Sequence, residues 1–191
     1  MSLENIWHLT SKEKWAKILE SGYLEPRTIL NNSKVKIPPS CLVGILPNHI
    51  KKWKEYGLLV YLKKQVLEDK YGWDELDESQ ILVLNVPKIE SNTLSQGYVR
   101  EHKYFSPKWC NQYIEGAFKE VMTESLTMGR NSLFVNKKNR NLIMDLFLKY
   151  CNSQIDLKDY YGQFELPEFW LLQRTPVEII KTLSLEKALK D

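Results

Sequence analysis

A few residues in this chain stand in settings where packing alone does not account for their chemistry. Glu168 lies between Pro167 and Phe169-Trp170, in a run apolar enough that an unpaired carboxylate is costly, so its presence at a cleft edge implies a reason for being there. Glu165 is the close alternative and Glu178 a weaker one, since alternation along a strand decides which side chain faces a cleft. His8 sits on a short apolar strand, near the end where side chains commonly line a cleft. It reads equally as a core histidine satisfied by a backbone carbonyl. Arg27 can meet phosphate oxygens bidentately, and it is also an ordinary surface arginine. Tyr61 is either a stacking ring or a half-buried strand aromatic. Arg100-Glu101-His102 is a dense charged triple beside Tyr98, Tyr104 and Phe105. It either faces a substrate or forms a surface loop whose charges pair locally, and local pairing is the favoured reading.

The elements that must hold these residues follow from hydrophobic periodicity. After the strand of His8, Trp15, Ile18 and Leu19 recur on one helical face while Lys12, Glu13, Lys14, Lys17 and Glu20 take the solvent side. Thr10 or Ser11 caps that helix at its start, and Gly22 supplies its left-handed stop. Thr28 to Ser40 reads as a loop ending in Pro38-Pro39, placed where an active-site lid would lie. Cys41 to Leu46 reads as a buried strand, Pro47 to Tyr56 as a short helix, Leu58 to Leu62 as a strand, and Ile81 to Val86 as a strand stopped by Pro87. Glu90 to Asn111 is turn-rich. Two amphipathic helices are predicted over Asn111 to Leu126 and Lys137 to Cys151, with Phe118 and Phe147 buried, then strands over Phe164 to Leu172 and Val177 to Leu185. Strands at both ends with helices between them give an α+β fold in which sequence-distant strands pair.

Three separated segments also resemble the ADP-ribosyltransferase-like superfamily, most closely its DarT-like DNA ADP-ribosyltransferases. These are the His8-x-Thr10 strand followed by Ile18-Leu19-x-x-Gly22-x-Leu24, the strand Gly57-Leu58-Leu59-Val60-Tyr61-Leu62, and Pro167-Glu168-Phe169-Trp170-Leu171-Leu172 with Thr175-Pro176-Val177-Glu178-Ile179-Ile180. The resemblance implies split β-sheets around an NAD cleft, with His8, Tyr61 and Glu168 opening onto one pocket and Arg27 at its rim. It implies that Glu168 is the catalytic carboxylate, and that His8, Thr10, Arg27 and Tyr61 bind NAD, which is a substrate. The acceptor it implies is a single-stranded nucleic acid, DNA first, or a protein, in a toxin-like enzyme. An RNA 2'-phosphotransferase-like enzyme and a non-catalytic binding module of the same shape are the alternatives. Leu9 departs from the pattern, because many relatives carry glycine after the histidine.

Composition bounds these readings. The chain has 191 residues, 43% of them hydrophobic, which suits one domain over residues 1–191 with a substantial core. A formal charge of +3 neither demands nor excludes a nucleic-acid partner, so any basic footprint has to be local, among groups such as Lys51, Lys52 and Lys54. Cys41, Cys110 and Cys151 are widely spaced and suggest neither a disulfide framework nor a metal site, as in a cytoplasmic protein with reduced thiols. No run approaches the ~20 apolar residues that span a bilayer, so no membrane partner is expected. A phosphate loop, a dinucleotide fingerprint, a nucleophile elbow and a His-Glu-x-x-His zinc motif are all absent from the sequence.

Overall fold

The computed structural model describes residues 5–25, 42–56, 77–87, 97–106, 145–146, 148–172 and 174–190. Arg27, Tyr61, the 28–40 loop, the 58–62 strand, Phe118 and Phe147 lie outside them, as does the helix expected over 111–126.

Ser11 marks the handover from the first strand, β1 (Asn5–Ser11), to the first helix, α1 (Lys12–Ser21). Its backbone is extended and its hydroxyl accepts the Lys14 N–H at 3.2 Å, satisfying one of the donors that a helix start leaves over. Gly22 ends α1 at φ 77°, a left-handed conformation that favours glycine, and its N–H returns to the Ile18 and Leu19 carbonyls. Trp15 and Ile18 pack on the core, whereas Leu19, expected beside them, is 50% exposed. Trp15 and Ile18 are one turn apart, and Leu19 is rotated a further ~100° toward solvent.

Among the described residues the fold is mixed α and β, with small antiparallel sheets whose neighbours are distant in sequence. Besides β1, the strands are β2 (Tyr23–Leu24), β3 (Leu42–Gly44), β4 (Ile81–Pro87), β5 (Gly97–Glu101), β6 (Ile155–Asp156), β7 (Pro167–Leu171), β8 (Thr175–Pro176) and β9 (Lys181–Ser184). One sheet runs β1-β4-β9, a second β3-β7-β5-β6, and β2 pairs β8. The β1 and β3 segments meet at Trp7 and Ile45, which exchange backbone hydrogen bonds of 2.7 and 2.9 Å. A 3-10 turn over Pro47–His49 leads into α2 (Ile50–Glu55), and α3 (Leu185–Lys190) closes the described chain.

Two sequence expectations need correction. Gly97 to Glu101, placed in a turn-rich stretch, is a strand paired with β7 on one side and β6 on the other. The region predicted as one strand from Val177 is split: a 3-10 turn occupies Val177–Ile179, and β9 begins only at Lys181. Pro176 offers no N–H to continue a ladder, and the turn is closed by the Ile180 N–H on the Val177 carbonyl at 3.1 Å.

The principal core gathers Ile6, Leu84, Val86, Val99, Phe169 and Leu171 from strands of both larger sheets, with Leu24, Leu46 and Ile180. Gly97 is part of the reason the strands approach so closely. A Cβ there would lie 2.6 Å from the Trp170 carbonyl oxygen, which is backbone and cannot swing aside. Gly97→Ala is therefore expected to lower unfolding free energy by about 1–3 kcal/mol, read from urea midpoints at constant slope.

Candidate functional site

Strand alternation separates the sequence candidates. Gly44 pairs with Phe169, and both Ile45 and Glu168 follow from these by one residue, so Ile45 and Glu168 share the opposite sheet face. Trp7 is bridged to Ile45 and takes that same face; His8, its neighbour, therefore turns to the face of Ile6, Leu84 and Phe169. A Cβ on Gly44 would run into Ile6, which confirms that Ile6 and His8 belong to the Gly44 side. Thr10 shares the His8 side and is 3% exposed. The strands thus do not bring His8 and Glu168 to one pocket: the two side chains leave opposite faces. Arg27 and Tyr61 lie outside the described residues.

What the structure does gather is a cluster around Glu168 that the sequence flagged only in part. Glu168 is 7% exposed, and its Oε2 accepts the Tyr150 hydroxyl at 2.5 Å and the Trp170 indole N–H at 3.0 Å. Its other oxygen, Oε1, faces His102 Nε2 at 3.7 Å. Arg100 is the cross-strand partner of Glu168. The Arg100 guanidinium stands 5.1, 5.1 and 5.0 Å from the ring centres of Tyr98, Tyr150 and Trp170, and donates to Gln154 Oε1 at 3.1 and 2.8 Å. Tyr98 and Trp170 stack at 5.7 Å. His102 is walled by Trp53 at 4.8 Å and by the edge of Tyr150 at 5.6 Å. The negative faces of three aromatic rings offset part of the cost of taking the Arg100 charge out of water.

The surface-loop reading of Arg100-Glu101-His102 is corrected by these contacts. Glu101 and His102 are each 4% exposed, and the triple runs from the end of β5 into a 3-10 turn. Glu165, the alternative carboxylate, is exposed and sits 3.5 Å from Lys103 Nζ. Glu178 is exposed too. Tyr150 falls inside the amphipathic helix expected over Lys137 to Cys151 and is not singled out by the sequence. The available signal was its hydroxyl, which needs a hydrogen-bond partner once the ring is buried.

The electrostatics follow the burial. Removal from water pushes the Tyr150 phenol well above its usual range, and the Glu168 carboxylate beside it pushes the same way, while Arg100 opposes. Burial works against the Arg100 charge, but Tyr150, Tyr98 and Cys151 outweigh it and raise its pKa. Burial lowers His49, Lys52 adds to that, and Glu101 pulls back. For Tyr150 the sign is definite: a phenol whose folded pKa lies above its unfolded value stabilises fully below the unfolded value, and the benefit is lost as pH rises from there through the folded value. Wild-type stability is expected to fall above about pH 10, and Tyr150→Phe to flatten that alkaline slope in denaturation curves taken across the range.

Among the described residues no group of three or more His, Cys, Asp or Glu side chains is placed to hold a metal ion, and no helix is long and apolar enough to cross a membrane. No family model, curated protein or solved structure matches the chain. Fold and site together define a mixed α and β protein with a buried, doubly hydrogen-bonded carboxylate set among aromatic rings and one caged arginine.

Proposed function

We propose that the chain is an NAD-dependent mono-ADP-ribosyltransferase whose working carboxylate is Glu168, with a nucleic acid, DNA first, or a protein as the acceptor. The observation that carries this reading is the burial of Glu168 in the segment that resembles the superfamily's catalytic strand, with Tyr150 and Trp170 orienting one of its oxygens. In such a transfer the bond between nicotinamide and ribose breaks, the nicotinamide leaves with the bonding pair, and the acceptor's lone pair closes on the ribose carbon. Positive charge builds on the ribose before the new bond forms. A carboxylate already held in place stabilises that charge without reorganising, which is where fixed electrostatics contribute most. Oε1 of Glu168, on the side of His102, is the oxygen not occupied by Tyr150 and Trp170. The reading places catalysis on the Glu168 face and assigns no step to His8 or Thr10.

The opposite facing of His8 and Glu168 favours a second reading, a binding module of related shape in which the Glu168 cluster only braces the sheet. Thermal unfolding with and without NAD separates the two. At ~100 times its dissociation constant a ligand adds about 2.7 kcal/mol, a shift of several degrees for a chain of this size. Labelled NAD offered with single-stranded DNA, RNA and protein then identifies the acceptor. No shift and no labelled acceptor would sink the transferase reading.

A further inference from the structure

Glu101 does more than fill a buried position. It stands opposite Pro167 in the β5–β7 ladder as a non-hydrogen-bonded pair, because the Glu101 N–H points away from β7. The ladder thus makes no backbone bond between β5 and β7 one residue before Glu168, where the register of β7 has to be held. The Glu101 side chain makes up for it. Its Oε2 accepts the Glu165 N–H at 2.7 Å, and its Oε1 accepts the Leu166 N–H at 2.9 Å and the Lys103 N–H at 3.3 Å. The His102 N–H closes the same turn on the Leu166 carbonyl at 3.0 Å, and the Glu101 N–H is anchored on Ser153 Oγ at 2.9 Å. Lys103 Nζ lies 3.9 Å from the carboxylate at the solvent edge.

We infer that Glu101 is a positioning residue for Glu168: its carboxylate clamps the two amides ahead of Pro167 and so fixes which residue of β7 faces Tyr150, Trp170 and His102. A slip of one residue would put Pro167 or Phe169 there and send Glu168 to the opposite face. Two carboxylate oxygens taking separate backbone donors do this in a way that a neutral amide, with one acceptor oxygen, does not. The inference rests on Glu168 being the working carboxylate of the proposed function, but its test does not use NAD.

The test compares wild type, Glu101→Gln, Glu101→Asp and, as an exposed control, Glu178→Gln in the full chain. Two readouts apply: backbone amide exchange at residues 165 and 166, and the indole N–H resonance of Trp170, which reports the Glu168 carboxylate it donates to. In Glu101→Gln the two amides are expected to exchange at least about tenfold faster than in wild type while β4 amides are unchanged. The Trp170 resonance should move toward its position in Glu168→Ala. Glu101→Asp keeps the charge but shortens the reach, and should show a smaller change of the same sign; it stands in if the glutamine variant does not fold. Unchanged exchange at 165 and 166 overturns the clamp. Faster exchange with an unmoved Trp170 resonance overturns the positioning role. Because neither readout needs turnover, a wild-type protein that ignores NAD would end the proposed function and leave this result standing on its own.

Discussion

Glu168→Gln is expected to lower NAD-dependent transfer by roughly 100- to 1,000-fold, equivalent to about 2.7–4 kcal/mol of transition-state stabilisation, with little change in NAD affinity. The geometry makes this substitution a clean probe. Tyr150 and Trp170 both donate to the same oxygen, so the glutamine carbonyl can keep both contacts while its amide nitrogen takes the Oε1 position, 3.7 Å from His102 Nε2 in the wild type. Shape and the two hydrogen bonds persist; the charge that favours an oxocarbenium-like ribose does not. Steady-state kinetics at several NAD concentrations, with thermal unfolding as a check on folding, give the answer. If turnover is retained, Glu168 is not the working carboxylate. Glu165 would be tested next, although it is exposed and already near Lys103.

One residue along the same strand the expected effect is of another kind. Phe169→Ala should lower unfolding free energy by about 3–5 kcal/mol, since a fully buried aromatic is removed and the surrounding sheets can collapse only partly. Phe169 is 0% exposed, pairs with Gly44 and Val99 across its two neighbouring strands, and meets the edge of Tyr160 at 5.4 Å. Urea unfolding measures the loss directly, and a change below 1 kcal/mol would show that this core is not packed as described. Glu168 and Phe169 thus form an adjacent pair whose losses should separate, one in rate and one in stability. A single strand serves both because its side chains alternate between faces.

Local structure was the legible part of the sequence. The Ser11 cap and Gly22 stop, the short helix after Pro47, and the strands ending at Pro87 and centred on Phe169 all followed from residues whose backbone preferences are strong and local. β5 was not legible, because Gly97, Arg100 and Glu101 depress any strand signal and their places are set by β7, some seventy residues downstream. The candidate site divided in the same way. Glu168 stood out by its apolar setting, whereas the approach of Tyr150, Arg100 and His102 to it is a matter of tertiary pairing. The face of His8 could not be read at all. It depends on one bridge between Trp7 and Ile45, and a register that alternates every residue leaves no trace in composition.

The strand order also bears on synthesis. β7 lies between β3 and β5, and β4 lies between β1 and β9, so the middle of one sheet and an edge of the other come from the last described residues. On a ribosome, β3 and β5 emerge with facing edges that have no strand between them, and neither sheet can be completed until the segments from Pro167 to Ser184 have left the tunnel. Until then the nascent chain carries unpaired, partly apolar edges of the sort that invite premature association. Glu168 and Trp170 arrive with β7 itself, so a chain cut short before it lacks the carboxylate and one of the three rings around Arg100.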